Sequence, residues 1–257
     1  MHEPLPADWI EIAARDQPRR PFLKTPDGRR LTYASLREES GRFAAALKRR
    51  GVVPGDRVAV QVDKSAEAVL LYVACLRMGA VYVPINVTNT RNEVDYFLRD
   101  SKPRVAVIRP ADRALLEPSA AQAGVGHVES LGADGEGTLL ELAAQCAEDP
   151  MPWRPGADAP AAIVYTSGTT GRSKGAVITH GNLASNAAVL VDTWRFTADD
   201  VLLHSLPLFH IHGLFAAINT VLACGSGLLL ILFMLLGAIS RAAASVCADF
   251  TTLPNSR

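Results

Sequence analysis

Two periods of apolar residues alternate along the first half of this chain. After Leu31-Thr-Tyr-Ala-Ser-Leu36, apolar residues at Leu36, Phe43, Ala44 and Leu47 fall on one helical face, and Gly51 supplies a stop. Ser35 and Glu38 have the spacing of a capping box for that helix. Pro54-Gly55-Asp56 then turns the chain into a strand over Arg57–Val62. The stretch from about Ala66 to Met78 is apolar nearly all round and ends at Gly79, which predicts a buried helix. A strand over Ala80–Pro84, a helix near Arg91–Asp100 and a strand over Arg104–Ile108 follow. Strands alternating with helices at this rhythm predict α/β layers around a largely parallel sheet.

From Ala111 to Gly137 the pattern weakens into Ala/Gly-rich helix and loop, and the proline-rich 148–160 stretch reads as a connector. Ala161–Tyr165 is strand-like, Ala176–Ile178 is a second short apolar run, Asn182–Trp194 reads as a helix and Val201–Leu206 as a strand. Leu214–Ile239 is long enough for a membrane-spanning helix. However, Gly225-Ser226-Gly227 divides it, and no Lys/Arg cluster flanks either end. A membrane is therefore not expected as a partner.

With 49% hydrophobic and 20% charged residues, the 257-residue chain can bury a sizeable core. Its 26 basic and 26 acidic residues balance, so charge gives no reason to expect nucleic acid. Cys75, Cys146, Cys224 and Cys247 form no CxxC pair, so neither a zinc site nor a disulfide framework is predicted; Cys75 and Cys224 read as buried thiols. The first residues, MHEPLPADWIEIAARD, are acidic without an apolar signal core, and a cytoplasmic location is expected.

The chemistry concentrates in Tyr165–Asn182, YTSGTTGRSKGAVITHGN. Glycines at 168, 171 and 175 let backbone N–H groups converge, and the hydroxyls of Thr166, Ser167, Thr169 and Thr170 add donors. Lys174 adds a point charge suited to a polyphosphate. The spacing is not that of a Walker loop. A second motif, Leu206-Pro-Leu-Phe-His-Ile-His-Gly-Leu-Phe215, carries His210 and His212 at the start of an apolar helix. They could be metal ligands, but no third ligand is evident; they could equally cap or pack a strand-to-helix junction.

The string at 165–182 resembles the phosphate-binding loop of the adenylate-forming superfamily, which includes acyl-CoA synthetases, luciferases and peptide-synthetase adenylation domains. Residues 72–108 resemble the early part of acyl-CoA synthetases, and the His-x-His-Gly-Leu-Phe version of the second motif resembles malonate–CoA ligases. The resemblance implies the layered α/β fold of the N-terminal part of these enzymes. It implies an ATP-dependent acid–CoA ligase that adenylates a carboxylate and then transfers the acyl group to CoA. Thr166, Ser167, Gly168, Thr169, Thr170, Gly171 and Lys174 would hold the ATP phosphates, with Mg²⁺. His210 would line the acyl pocket and His212 would sit near a second carboxylate. No metal ligand is assigned. A 4-coumarate- or fatty-acid-type ligase, a non-catalytic nucleotide-binding remnant and a membrane-anchored fragment are the rival readings.

The resemblance runs from about residue 20 to about 225. The sequence therefore divides into a partial AMP-binding domain over 1–227 and a divergent apolar tail over 228–257. The family's aromatic-Gly-x-Thr-Glu motif, ribose aspartate and C-terminal small domain with its catalytic lysine do not occur in this sequence. No catalytic residue is assigned, and no acyl-CoA formation is expected of the 257 residues by themselves.

Overall fold

The structure, a computed structural model, describes residues 4–149, 154–166 and 173–231. In chain order the elements are α1 (Pro6–Asp16), β1 (Pro21–Lys24), β2 (Arg30–Thr32), α2 (Tyr33–Arg49), β3 (Arg57–Gln61), α3 (Ala66–Met78) and β4 (Val81–Pro84). Then come α4 (Arg91–Ser101), β5 (Val105–Ile108), a 3₁₀ turn Pro110–Asp112, α5 (Arg113–Gln122), β6 (His127–Ser130) and α6 (Thr138–Ala144). They are followed by β7 (Pro160–Thr166), β8 (Lys174–Thr179), α7 (His180–Trp194), β9 (Val201–His204), a π-helix His212–Ile218, α8 (Asn219–Cys224) and β10 (Gly227–Leu230).

The expected α/β architecture is present as two sheets. One has the order β6-β5-β3-β4-β7-β8 and is parallel except for the antiparallel β7–β8 pair. The other has the order β2-β1-β10-β9, with β10 parallel to both β1 and β9. Helix α3 explains how the layers hold together. Every residue of it is buried, as its all-round apolar sequence requires, and even Arg77 is enclosed. That guanidinium is satisfied by the Glu11 carboxylate, the Arg37 carbonyl and the Ser40 hydroxyl, so α1 and α2 are pinned onto α3 through one charge.

Local chemistry corrects several boundaries. Thr32, not Ser35, caps α2, and Ser35 is the third residue of the box, answering the Thr32 backbone N–H. The same arrangement one hundred and more residues on, Thr179 with Asn182, starts α7 at His180 rather than at Asn182. The stretch from Ala111 to Gly137 holds α5 and β6, and β6 extends the sheet beside β5 although His127-Val-Glu-Ser130 shows no strong alternation. The apolar run after Leu214 is broken as its glycines suggest: Gly225 takes φ +69° at the end of α8, and the chain re-enters the sheet as β10. Among the described residues no helix is long and apolar enough to cross a membrane. Strand β10 begins at Gly227 and continues three residues into the segment read as a tail; residues after Ile231 lie outside the described part. Cys75 is buried as expected, whereas Cys224 is only half-buried.

Candidate active site

The polar loop is the connection of a β-hairpin. β7 leaves the sheet beside β4, and β8 returns along it as the edge strand, in register from Ala162↔Ile178 to Thr166↔Lys174. The last rung therefore sets an exposed threonine opposite an exposed lysine at the mouth of the connection. Of the residues expected to bind phosphate, Thr166 and Lys174 are thus brought face to face. Ser167, Gly168, Thr169, Thr170 and Gly171 lie outside the described residues.

The second motif approaches the same place from the other sheet. After β9 the chain turns at Pro207 and doubles back into the π-helix, a form that often marks functional sites. Gly213 makes the turn possible, since a Cβ there would lie 2.1 Å from the Pro207 carbonyl oxygen. The Leu214 N–H donates to the His210 carbonyl at 2.9 Å, and His204 Nε2 lies 2.8 Å from the Gly213 carbonyl. These bonds leave His210, Ile211 and His212 exposed on the outside of the turn. The Phe209 and His210 rings lie 4.6 Å apart.

The two motifs meet across a cleft of about 430 Å³. Thr166 and Ser173 border it on the hairpin side and His210 and His212 on the other. The sequence did not single out Asn86, Asn89, Glu93 or Phe97, which also line it. A general rule would have found the asparagines: in open parallel sheets ligands collect at the carboxyl ends of strands, and Asn86 and Asn89 follow the carboxyl end of β4.

Electrostatically the cleft is mixed. The hydroxyl and backbone N–H of Thr90 bond to Glu93 and hold its carboxyl below the usual range, so Glu93 is anionic at neutral pH. Burial keeps the Tyr165 hydroxyl protonated, and it donates to Asp100 Oδ2 at 2.7 Å. Behind the turn, burial lowers Lys64 to about 7, and its Nζ donates to the His204 carbonyl at 2.7 Å. No group of three or more His, Cys, Asp or Glu among the described residues could hold a metal ion. His210 and His212 line the cleft, and among the described residues they belong to no such group.

Comparison with known proteins identifies what this arrangement belongs to. Residues 10–247 match the model of the AMP-binding enzyme family. Indoleacetate–CoA ligase of Aromatoleum aromaticum is 33% identical over 229 residues, which is 87% of this chain and 44% of that protein. The fatty acid–[acyl-carrier-protein] ligase ScoC of Streptomyces coeruleorubidus is 37% identical over 74% of this chain and 37% of its own length. Among solved structures, apo MatB from Rhodopseudomonas palustris superposes with a TM-score of 0.87 at 43% identity, covering 93% of this chain and 48% of MatB. The ATP-bound form of the same protein gives the same TM-score at 41% identity over 96% of this chain and 51% of that one. The chain spans about half the length of these proteins. On this footing the chain belongs to the AMP-binding enzyme family.

Proposed function

We propose that this chain forms the nucleotide- and acid-binding half of an ATP-dependent acid–CoA ligase, working in the cytoplasm on malonate. The observation that carries the reading is the shared cleft: Thr166 and Ser173 at the hairpin mouth and His210 and His212 on the turn open onto one space, and Lys174 is the ladder partner of Thr166 at its border. A carboxylate held against the histidines would face a nucleotide held at the hairpin. The reaction needs that juxtaposition, because the carboxylate must attack the α-phosphorus.

In this reading Lys174 neutralises the β- and γ-phosphates, and Thr166 donates to them together with Ser167, Gly168, Thr169, Thr170 and Gly171. The exposed Thr166/Lys174 rung suits an anion, since both side chains project from the last pair of the ladder with nothing of the described chain over them. Mg²⁺ would arrive with the triphosphate and offset its charge; the described residues offer no cluster that would hold it alone. His210 lines the acid pocket and His212 pairs with the distal carboxylate of the acid. The His-x-His-Gly-Leu-Phe motif and the likeness to MatB support malonate.

A second reading, an aromatic or fatty acid as substrate, is favoured by the apolar lining of the same cleft by Phe97, Val164, Phe209 and Ile211. The test is ATP–pyrophosphate exchange by a hybrid in which residues 1–227 of this chain are joined to the remaining half of MatB. Exchange that depends on malonate supports the first reading. Exchange that depends on cinnamate-type or long-chain acids selects the second, and no exchange with any acid rejects both.

A further inference from the structure

The mouth of the β7–β8 hairpin is the open end of an edge strand. Strand β8 has a neighbour on one side only among the described residues, and Lys174–Val177 are all exposed. Such an end has little of its own to hold it, because few buried contacts and solvent-exposed ladder bonds give low local stability. Yet both flanks of the connection are tied to α4. Tyr96 Oη donates to the Ser173 carbonyl at 2.7 Å, one residue before Lys174. Asp100 Oδ2 accepts from Tyr165 Oη at 2.7 Å, one residue before Thr166.

The rings reinforce the polar contacts. Tyr165 stacks on Phe97 with centroids 4.3 Å apart and an interplanar angle of 26°, and it meets Tyr96 edge-on at 6.0 Å. Tyr96 and Asp100 are four residues apart, so they share one face of α4 and reach the two flanks together. The helix is itself anchored. Its first turn is closed by the reciprocal Thr90–Glu93 box, and Val94, Phe97 and Leu98 are buried against the sheet.

We propose that α4 is the clamp that holds the nucleotide-binding hairpin open at a fixed width, with Tyr96 and Asp100 as positioning residues for Lys174 and Thr166. The inference rests on the reading of those two residues as phosphate ligands. Neither Tyr96 nor Asp100 touches the reacting groups. They act by fixing the backbone on either side of the last rung, so that its lysine and threonine are already placed when the anion arrives. That is preorganisation, and its loss appears as weaker binding without loss of fold.

The test uses Tyr96→Phe, which keeps the ring and deletes one hydroxyl, Asp100→Ala, and the conservative Asp100→Asn, which keeps an acceptor for Tyr165. Amide hydrogen exchange is followed in β8 and, as a control, in β3 and β4, and ATP affinity is measured on the same proteins. Tyr96→Phe and Asp100→Ala should speed exchange at 174–176 and weaken ATP binding about three- to tenfold, the size expected for one hydrogen bond. Exchange in β3 should be unchanged, and Asp100→Asn should stay near wild type. Unchanged exchange at 174–176 in both deletion variants overturns the clamp, as does acceleration spread equally over β3 and β4. Lys174→Ala separates the two ideas: if it leaves ATP affinity untouched, or if the unaltered chain binds no ATP, the nucleotide reading fails while the exchange result still decides the clamp.

Discussion

His204 Nε2 lies 2.8 Å from the Gly213 carbonyl and so fastens the end of β9 to the first turn of the π-helix. The ring is buried, and burial, with the Lys64 ammonium acting in the same direction, pulls its pKa down to about 4. At neutral pH His204 is therefore uncharged, with its proton on Nε2 and donated to that carbonyl. His180, fully buried at the start of α7, is lowered to about 4 by burial alone.

These two histidines make stability depend on pH in a defined window. Unfolded histidine titrates near 6.5, whereas these titrate near 4 in the fold. Between those values the unfolded chain binds more protons, so stability falls as pH drops from about 6.5 towards 4, and the loss levels off below that. At the usual conversion each contributes up to about 3 kcal/mol by the bottom of the window. Urea titrations from pH 7 to 4.5 should show this decline, and His204→Asn should remove one histidine's share of the slope. A slope identical to wild type would mean that the fold does not lower the pKa of His204.

Gly213 provides a test of the turn that displays the cleft histidines. Gly213→Ala sets a Cβ 2.1 Å from the Pro207 carbonyl, backbone that cannot swing aside. Overpacking of this kind costs about 1–3 kcal/mol. Gly156→Ala is the control, because nothing lies within 4 Å of its Cβ position. Equal melting temperatures for the two variants would show that the turn relaxes freely.

The parts of this architecture that the sequence makes plain are those where one local cause dominates. Helix α3 is apolar all round and is buried all round, and the strands beside it are short apolar runs bounded by turns. The glycines at 225 and 227 outweigh hydropathy, which alone would join α8 and β10 into one span. What the sequence hides depends on contacts between distant segments. Strand β1, only Pro21-Phe-Leu-Lys24, finds its partner β10 some two hundred residues later. The capping of α2 went to Thr32 because Ser35 can answer its backbone N–H, a competition between two neighbouring hydroxyl residues that spacing alone does not decide. In the cleft, His210, His212 and Thr166 are motif residues and visible, whereas Glu93 and Phe97 arrive on a helix whose sequence speaks only of amphipathic packing.

Lys174 is the most direct probe of the nucleotide reading. In the hybrid completed with the second half of MatB, Lys174→Ala should lower ATP–pyrophosphate exchange about ten- to a hundredfold, the cost of a charge-assisted contact of about 1.5–3 kcal/mol. Fold should be unaffected, since Lys174 is exposed at the hairpin mouth. Exchange at the unaltered rate would remove Lys174 from the phosphate site.

His212 probes the acid. If it pairs with a distal carboxylate, His212→Ala in the same hybrid should reduce exchange with malonate more than with propionate, which lacks that group. A comparable loss for both acids would assign the side chain to support of the turn, and a larger loss with propionate would contradict the malonate reading outright.

Both sheets also end, among the described residues, in an edge with apolar side chains on view. Strand β9 closes the four-stranded sheet with Leu203 at 44% exposure, and Leu206 and Ile211 follow at the same value. Strand β8 closes the six-stranded sheet with Val177 at 55%, and Val189 and Trp194 stand exposed on the helix that follows it. Unpaired N–H and C=O groups beside apolar side chains invite pairing with another chain, and among the described residues the charges near these edges stand only at strand ends, Asp199, Asp200 and Lys64 at β9 and Lys174 at β8. The 257-residue chain should therefore self-associate as concentration rises. Leu203→Lys and Val177→Lys, each placing a charge on an edge without touching the core, should restore monomer in sedimentation velocity. Should the unaltered chain remain monomeric across the micromolar range, the edges are covered by something other than a second copy, and the charged variants would then lose stability instead of gaining solubility.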